Sequence, residues 1–322
     1  MGKTTCKTMT KTTMTIKEFA NELIVTLHQR FPELFKNARF DIHTVPKQGG
    51  ICLTGITVRM KDSQIAPCYY IDEQYNKVMA GMPFSMAVSD LADTIRKYAT
   101  VVPDFDVTEL CEFGKVKDII VPKLMDGRLG KNDAYLEDKV RSRIPGTDLI
   151  VIYLIDLSKD ETRSMTIPVT LPLFEQWSIS LEELHLAAIN NGSRLKPPYI
   201  ADLPSVLMGT DPLPLEDLST SAPMLILTSE SKEHGASVIL YPGLVPMLLD
   251  YFPQGIWLLP SSIHEWILLQ KSFFDNPADL KEMVTTINTS YVVPEDRLSD
   301  NVYTLDKEGN LVTVMVDTTV IE

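Results

Sequence analysis

The chain has no run of the roughly 18 consecutive apolar residues that a spanning helix requires, so no membrane association is expected. Glycine is modest, 15 among 322 residues, and there is no Walker loop, GxGxxG element or GxSxG elbow. Common nucleotide enzymes and elbow-type serine hydrolases therefore lack their usual backbone. The four cysteines, Cys6, Cys52, Cys68 and Cys111, include no CxxC pair and no metal-finger spacing. A reduced, cytoplasmic compartment is the natural inference. The five histidines, His28, His43, His185, His234 and His264, show no HExxH spacing, so neither a metal nor a cofactor is expected. Cations are also in short supply: 30 Lys and Arg stand against 43 Asp and Glu, a net charge of −13. That balance argues against direct nucleic-acid binding, which needs clustered Lys and Arg, and favours plain solubility or a basic protein partner.

What is present is a mixed pattern of short apolar runs and amphipathic stretches. The basic, threonine-rich start MGKTTCKTMTKTTMT has no apolar segment after it, so it is not a secretory signal, and Cys6 stands where myristoylation wants Ser or Thr. Residues 1–14 are read as a flexible tail, with Met14 an alternative start of translation. An N-terminal α+β region, residues 15–145, opens on the capping box Thr15 and Glu18 before Phe19, Leu23, Ile24, Leu27 and Phe31 at helical spacing. Strands are predicted at 40–45, 51–60 and 67–71, and a second amphipathic helix runs through Val88, Leu91, Ala92, Ile95 and Tyr98. The run 116–125 suits a strand, with Pro122 demanding an edge position or ending the element.

The C-terminal α+β region, residues 146–322, is predicted to hold two strand–strand–helix units. In the first, 149–157 and 164–170 are strands, and Ser180 with Glu183 opens a helix through Asn190. In the second, Met224–Leu227 and Val238–Tyr241 are strands, a helix carries Leu244, Val245, Leu248, Leu249 and Phe252, and strands follow at 256–259 and 266–269. Proline-rich residues 194–223 join the two units, with room for a short helix over 200–208. Asn276 caps a helix with Pro277 in its first turn, and 302–305 with 311–316 make a hairpin whose Gly309 suits a positive φ. The fold class is α+β, with mixed or antiparallel sheets covered by amphipathic helices.

The compact polar cluster is the corner between the last two predicted strands of the second unit, Pro260-Ser261-Ser262-Ile263-His264-Glu265. A hydroxyl, an imidazole and a carboxylate gathered at a sheet end can do acid–base or nucleophilic work. The structural alternative is that Ser261 and Ser262 cap backbone N–H groups while His264 and Glu265 tie the corner to neighbouring loops. His264 and Glu265 are adjacent and would face opposite ways in a regular strand, which weakens a dyad. Ser261, Ser262, His264 and Glu265, with Trp257 and Tyr303, are the candidate binding residues; no catalytic residue is assigned. The Trp and Tyr residues can line a groove, although such rings more often fill cores.

PSSIHEWILL (260–269), LSDNVYTLD (298–306), the Gly-Ala and Leu-Tyr-Pro elements of HGASVILYP, and IVPKLMDGRLGKNDAYL around Asn132 together resemble the bacterial family of unknown function designated DUF5688. WSISLEELHLAAINN (177–191) is similar, more weakly, to the DUF1444 family. The resemblance spans nearly everything after Met14 and implies an intracellular bacterial protein, from a mobile element or phage in one reading. It transfers no catalytic residue. Three functions stand open on the sequence: a non-catalytic binding or regulatory protein with a protein partner, which is the favoured reading; a hydrolase using the Ser261/His264/Glu265 corner; and an acidic inhibitor of a basic nucleic-acid-binding protein.

Overall fold

The computed structural model describes residues 14–61, 66–99, 106–128, 130, 132–158, 165–214, 216–218 and 224–316. The tail before Met14, with Cys6, lies outside the described residues. The protein is α+β, and its chain divides into two compact units: Met1–Pro46 with Cys52–Val107, and Lys47–Ile51 with Thr108–Glu322.

In the first unit α1 (Ile16–Arg30) starts at the expected capping box: Glu18 N donates to Thr15 Oγ1 and Thr15 N donates back to Glu18 Oε2 at 2.8 Å. After the single turn α2 (Pro32–Phe35) come β1 (Arg39–Pro46), β2 (Cys52–Arg59) and β3 (Cys68–Tyr70), then α3 (Asp72–Met79) and α4 (Phe84–Ala99). The strands form one antiparallel sheet in the order β1-β2-β3, with Phe40 opposite Val58. The stripe Phe19, Leu23 and Leu27 of α1 meets Ile56 and Val58 of β2 and Val88, Leu91 and Ile95 of α4 in one core. Burying such a stripe supplies most of a helix's stability in a folded domain.

The second unit begins with the turns α5 (Phe113–Val116) and, after β4 (Ile120–Asp126), α6 (Asp133–Leu136). β5 (Arg141–Arg143), β6 (Leu149–Asp156) and β7 (Thr166–Pro168) follow; β4 and β5 flank β6, and β7 also pairs with β6, all antiparallel. Then come α7 (Leu171–Trp177) and α8 (Leu181–Leu195), the latter capped by Ser180, whose Oγ accepts from Glu183 N at 3.1 Å. The remaining elements are β8 (Pro198–Asp202), α9 (Leu203–Met208), β9 (Met224–Ser229), α10 (Leu244–Tyr251), β10 (Ile256–Ser262), β11 (Glu265–Gln270), α11 (Pro277–Ser290), β12 (Tyr303–Leu305) and β13 (Leu311–Thr313). They include a six-stranded antiparallel sheet in the order β13-β12-β10-β11-β9-β8.

Three expectations change. The apolar run Val238–Tyr241 is not a strand: Gly235–Leu240 is a 3₁₀ helix with Gly235 to Ile239 buried. A short apolar run cannot by itself separate a strand from a buried helical turn, and here side chains take over the role of a ladder. Ala236 O accepts from the Trp266 indole at 2.7 Å, and Ser237 Oγ accepts from Leu124 N at 2.9 Å. Part of the proline-rich connector is structure: β8 is a sheet strand and α9 follows it, started by Asp202, whose Oδ1 accepts from Ser205 N; residues 215 and 219–223 lie outside the described residues. The polar corner is narrower than expected, because β10 and β11 run through Ser262 and from Glu265, leaving the two-residue turn Ile263-His264.

Pro122 sits in β4 at the sheet edge, where its missing N–H leaves no ladder bond unmade. Gly192 of α8 lies against it: an added Cβ would stand 2.6 Å from the Tyr241 ring and 2.9 Å from Pro122 Cδ. Helix propensity favours alanine over glycine by about 1 kcal/mol, but overpacking costs about 1–3 kcal/mol. Gly192→Ala is therefore expected to lower the urea midpoint, while Gly114→Ala, with no heavy atom within 4 Å of the new carbon, leaves it unchanged or raises it.

Candidate functional site

The β10–β11 turn is held by its own side chains. The register shifts between Pro260 and Ser262, so Ser261 is the extra residue of a bulge. Its Oγ donates to Glu265 Oε1 at 3.0 Å, while Ser262 Oγ accepts from His264 N at 3.0 Å. Thr228 Oγ1 donates to His264 O at 2.7 Å. The His264 ring is engaged at both ends: Nδ1 accepts from His234 N at 3.2 Å, and Nε2 faces Asp296 Oδ1 at 3.4 Å. That arrangement sets the tautomer, with the proton on Nε2, and leaves no ring lone pair to take a proton from Ser261. Trp257 lies four residues back along β10, about 13 Å away at the usual rise per residue; its indole donates to Phe274 O at 2.7 Å and Lys271 Nζ stands 4.0 Å over its ring. Tyr303 is fully buried elsewhere in the sheet.

Beside the turn lies a second histidine that the sequence did not single out. His234 has φ 50°, in the left-handed region, and its ring stacks on His264 with centroids 5.8 Å apart and planes 10° apart. The backbone there is closely packed: a Cβ on Gly235 would stand 2.2 Å from Thr228 Oγ1 and 2.4 Å from His264 O. His234 Nδ1 is buried with no hydrogen-bond partner. Burial, and then the positive charges of Lys123 and Lys196, push this imidazole down to about 2, so it is neutral at physiological pH. Lys123, on β4, is 9% exposed, and among the described residues no carboxylate oxygen lies within 4 Å of its ammonium. Burial lowers it from 10.5 to about 8, against the attraction of Asp296 and Glu233. Those two acids are committed elsewhere, Asp296 to His264 and Glu233 to Lys196 at 3.0 Å, and Lys196 also meets Asp156 at 3.3 Å.

A different polar group surrounds Tyr303. Its hydroxyl donates to Asp148 Oδ1, whose other oxygen accepts from Ser299 Oγ at 2.9 Å and Asn301 Nδ2 at 3.0 Å. Arg128 joins this carboxylate to Asp126, with Nη2 to Oδ2 at 2.6 Å, and to Asp300 at 3.3 Å. Asn132 braces the same place, donating to Asp126 O at 3.0 Å and accepting from Gly49 N at 2.8 Å. Of these residues Arg128 and Asp148 line a cavity of about 400 Å³, together with Gly127 and the rest of the β5–β6 turn from Arg143 to Ile150. Burial and the Asp148 charge push the Tyr303 hydroxyl far above its ordinary range, so it stays a donor at any relevant pH. Among the described residues, no group of three or more His, Cys, Asp or Glu is placed to hold a metal ion.

Each pocket of polar contacts thus joins two distant passages of sequence: 234–242 meets 260–269 at the histidines, and 120–136 meets 298–306 at Arg128. A family model described as "Family of unknown function (DUF5688)" matches residues 16–307. The chain belongs to the DUF5688 family. No curated protein and no solved structure matches it. In this member of the family no helix among the described residues is long and apolar enough to cross a membrane.

Sequence reasoning also passed over a relay on the α8 side of the four-stranded sheet. The Tyr153 hydroxyl stands between Ser142 Oγ and His185 Nδ1, 2.9 Å from the latter. Burial pushes the phenol up to about 12 and the imidazole down, so both are neutral and the relay is a set of hydrogen bonds without ionic character. Its members are 11 and 32 residues apart, and no local pattern could have joined them.

Lys123 generates a stability prediction. Its folded value, about 8, lies below the ordinary 10.5, so charging it costs about 3 kcal/mol more in the folded than in the unfolded chain. Below about pH 8 both states are charged and the full cost is present; between there and 10.5 the folded state has shed a proton that the unfolded state keeps, and the cost falls as pH rises. Lys123→Met is expected to raise stability at pH 7 by up to about 3 kcal/mol, with the advantage shrinking from pH 8 to 10.5. Urea unfolding across that range measures it; a pH-independent difference would contradict the assignment.

Proposed function

We propose that this DUF5688 protein acts by binding and not by turnover, and that the cavity beside Arg128 is its principal ligand position. The observation that carries the reading is the bracing of that cavity. Arg128 and Asp148, its charged wall, are already engaged by Asp126, Asp300, Ser299, Asn301 and Tyr303. Groups held this firmly define a shape, which suits recognition in a pre-formed hollow. Its size, about 400 Å³, is that of a small-molecule site.

Ile144, Pro145, Leu149 and Ile150 give the hollow apolar walls, and Arg143 adds a guanidinium that, among the described residues, has no carboxylate within 4 Å. A small apolar body carrying one acidic group fits that lining. The hydrolase reading has less behind it, since Ser261 is bonded to Glu265 and both nitrogens of His264 are occupied. The reading of an acidic inhibitor also loses force at this place, where Asp126, Asp148 and Asp300 turn toward Arg128.

Titration with benzoate and hexanoate, followed by amide NMR, tests the proposal. Shifts are expected at Gly127, Gly146 and Thr147, with both compounds recovered unchanged. Arg143→Ala should weaken binding about tenfold, the share of one charge-assisted contact, without moving the urea midpoint. Shifts confined to other residues, or chemical conversion of a compound, would sink it.

A further inference from the structure

Lys123 and His234 do not belong to the cavity, and the network around Arg128 does not use them. Both side chains are buried and incompletely compensated: Lys123 is 9% exposed with, among the described residues, no carboxylate oxygen within 4 Å of its ammonium, and the imidazole Nδ1 of His234 is buried with no partner. Buried polar groups are nearly always paired, because an unpaired one forfeits its hydration. The two come from neighbouring segments, since Leu124 N, one residue on from Lys123, donates to Ser237 Oγ of the 3₁₀ helix that His234 caps, and two such groups side by side are a stronger sign than either alone. The backbone adds a third observation. His234 is one of three described non-glycine residues at positive φ, and the glycine that follows it has no room for a Cβ. A strained, over-determined residue presenting an unpaired nitrogen has the character of a ligand clamp.

The neighbouring acids cannot fill the role. Asp296 is turned to His264, and Glu233 and Asp156 are turned to Lys196. What the pair lacks is one negatively charged oxygen able to accept from the ammonium and from an imidazole N–H together. We propose that Lys123 and His234 form a binding position for a small oxyanion, the carboxylate or phosphate group of a ligand distinct from the one in the cavity. A neutral imidazole with its proton on Nδ1 donates to that oxygen without adding charge, and the stacked His264 ring, with its Nδ1 accepting from His234 N, holds the imidazole in place.

The test uses the intact chain and inorganic phosphate or acetate as probes. Trace labelling with deuterated acetic anhydride, read by mass spectrometry, reports how open each lysine amine is. An anion on the Lys123 ammonium slows its labelling by the factor 1 + [L]/Kd, about tenfold at ten times Kd, while exposed Lys17 and Lys115 keep their rates. Saturable protection of Lys123 by phosphate alone assigns a phosphate group, and protection by acetate alone assigns a carboxylate. No protection by either probe, or equal slowing of Lys17 and Lys115, overturns the proposal. In folded His234→Phe, which keeps a flat ring and removes both nitrogens, protection should fall at least about tenfold, as expected for one lost buried contact; full protection there would overturn the pairing. Because this readout is local to Lys123, its failure is separable from failure of the cavity titration.

Discussion

The outward edge of β4 is completed by side chains instead of by another strand. Ile120 O and Lys117 O accept from Asn191 Nδ2 at 3.0 and 2.6 Å, Leu124 N donates to Ser237 Oγ at 2.9 Å, and Asp126 O accepts from Asn132 Nδ2 at 3.0 Å. Pro122 stands at another outward position, where its missing N–H leaves no donor to satisfy. An open edge invites pairing with another chain; here α8, the 3₁₀ helix and the cap of α6 each supply one polar group to close it. The four-stranded sheet is thereby tied to the segment carrying His234, and β4 delivers Lys123 on one residue and Asp126 on another. Both polar centres of this unit hang from that edge.

Those centres differ in how their charge is compensated. At Arg128 a guanidinium meets three carboxylates, and the most buried of them, Asp126, takes the bidentate contact, Nε to Oδ1 and Nη2 to Oδ2. Fork-to-carboxylate pairing of this kind retains much of what the charges lose on leaving water. At Lys123 the compensation is partial: Asp296 and Glu233 attract the amine from beyond ion-pair distance, while Lys47 and Lys139 depress it further. A folded chain carries such a local cost where something other than stability selects for it, and that difference is the ground for proposing a ligand at Lys123 and a structural role for Arg128 around a hollow.

Much of the architecture was legible because it depends on local chemistry. Thr15, Ser180 and Asn276 announced their helices through caps, the helical stripes of α1 and α4 set the first core, and Gly309 marked the last turn. The misreadings arose where a tertiary contact overrode the local signal. Val238–Tyr241 has the composition of a strand, yet the Trp266 indole and Leu124 N claim the polar atoms that a ladder would have used. β8 escaped notice because prolines flank it, and an edge strand beginning at Pro198 loses nothing by the missing donor.

The candidate site was legible as a place and not as an arrangement. Ser261, Ser262, His264 and Glu265 do gather at one turn, but the sequence cannot tell which of them satisfies which, and the answer decides the chemistry. With Ser262 capping His264 N and Ser261 bonded to Glu265, the hydroxyls are spent on the bulge. The imidazole then looks away from them, to His234 and Asp296, 30 and 32 residues distant. Proton transfer needs a base whose lone pair faces its donor, so an imidazole whose Nδ1 already accepts and whose Nε2 faces Asp296 acts as a strut. The strut holds the His234 ring, and it is the unpaired nitrogen of that ring, invisible to any motif, that gives the corner its chemical interest.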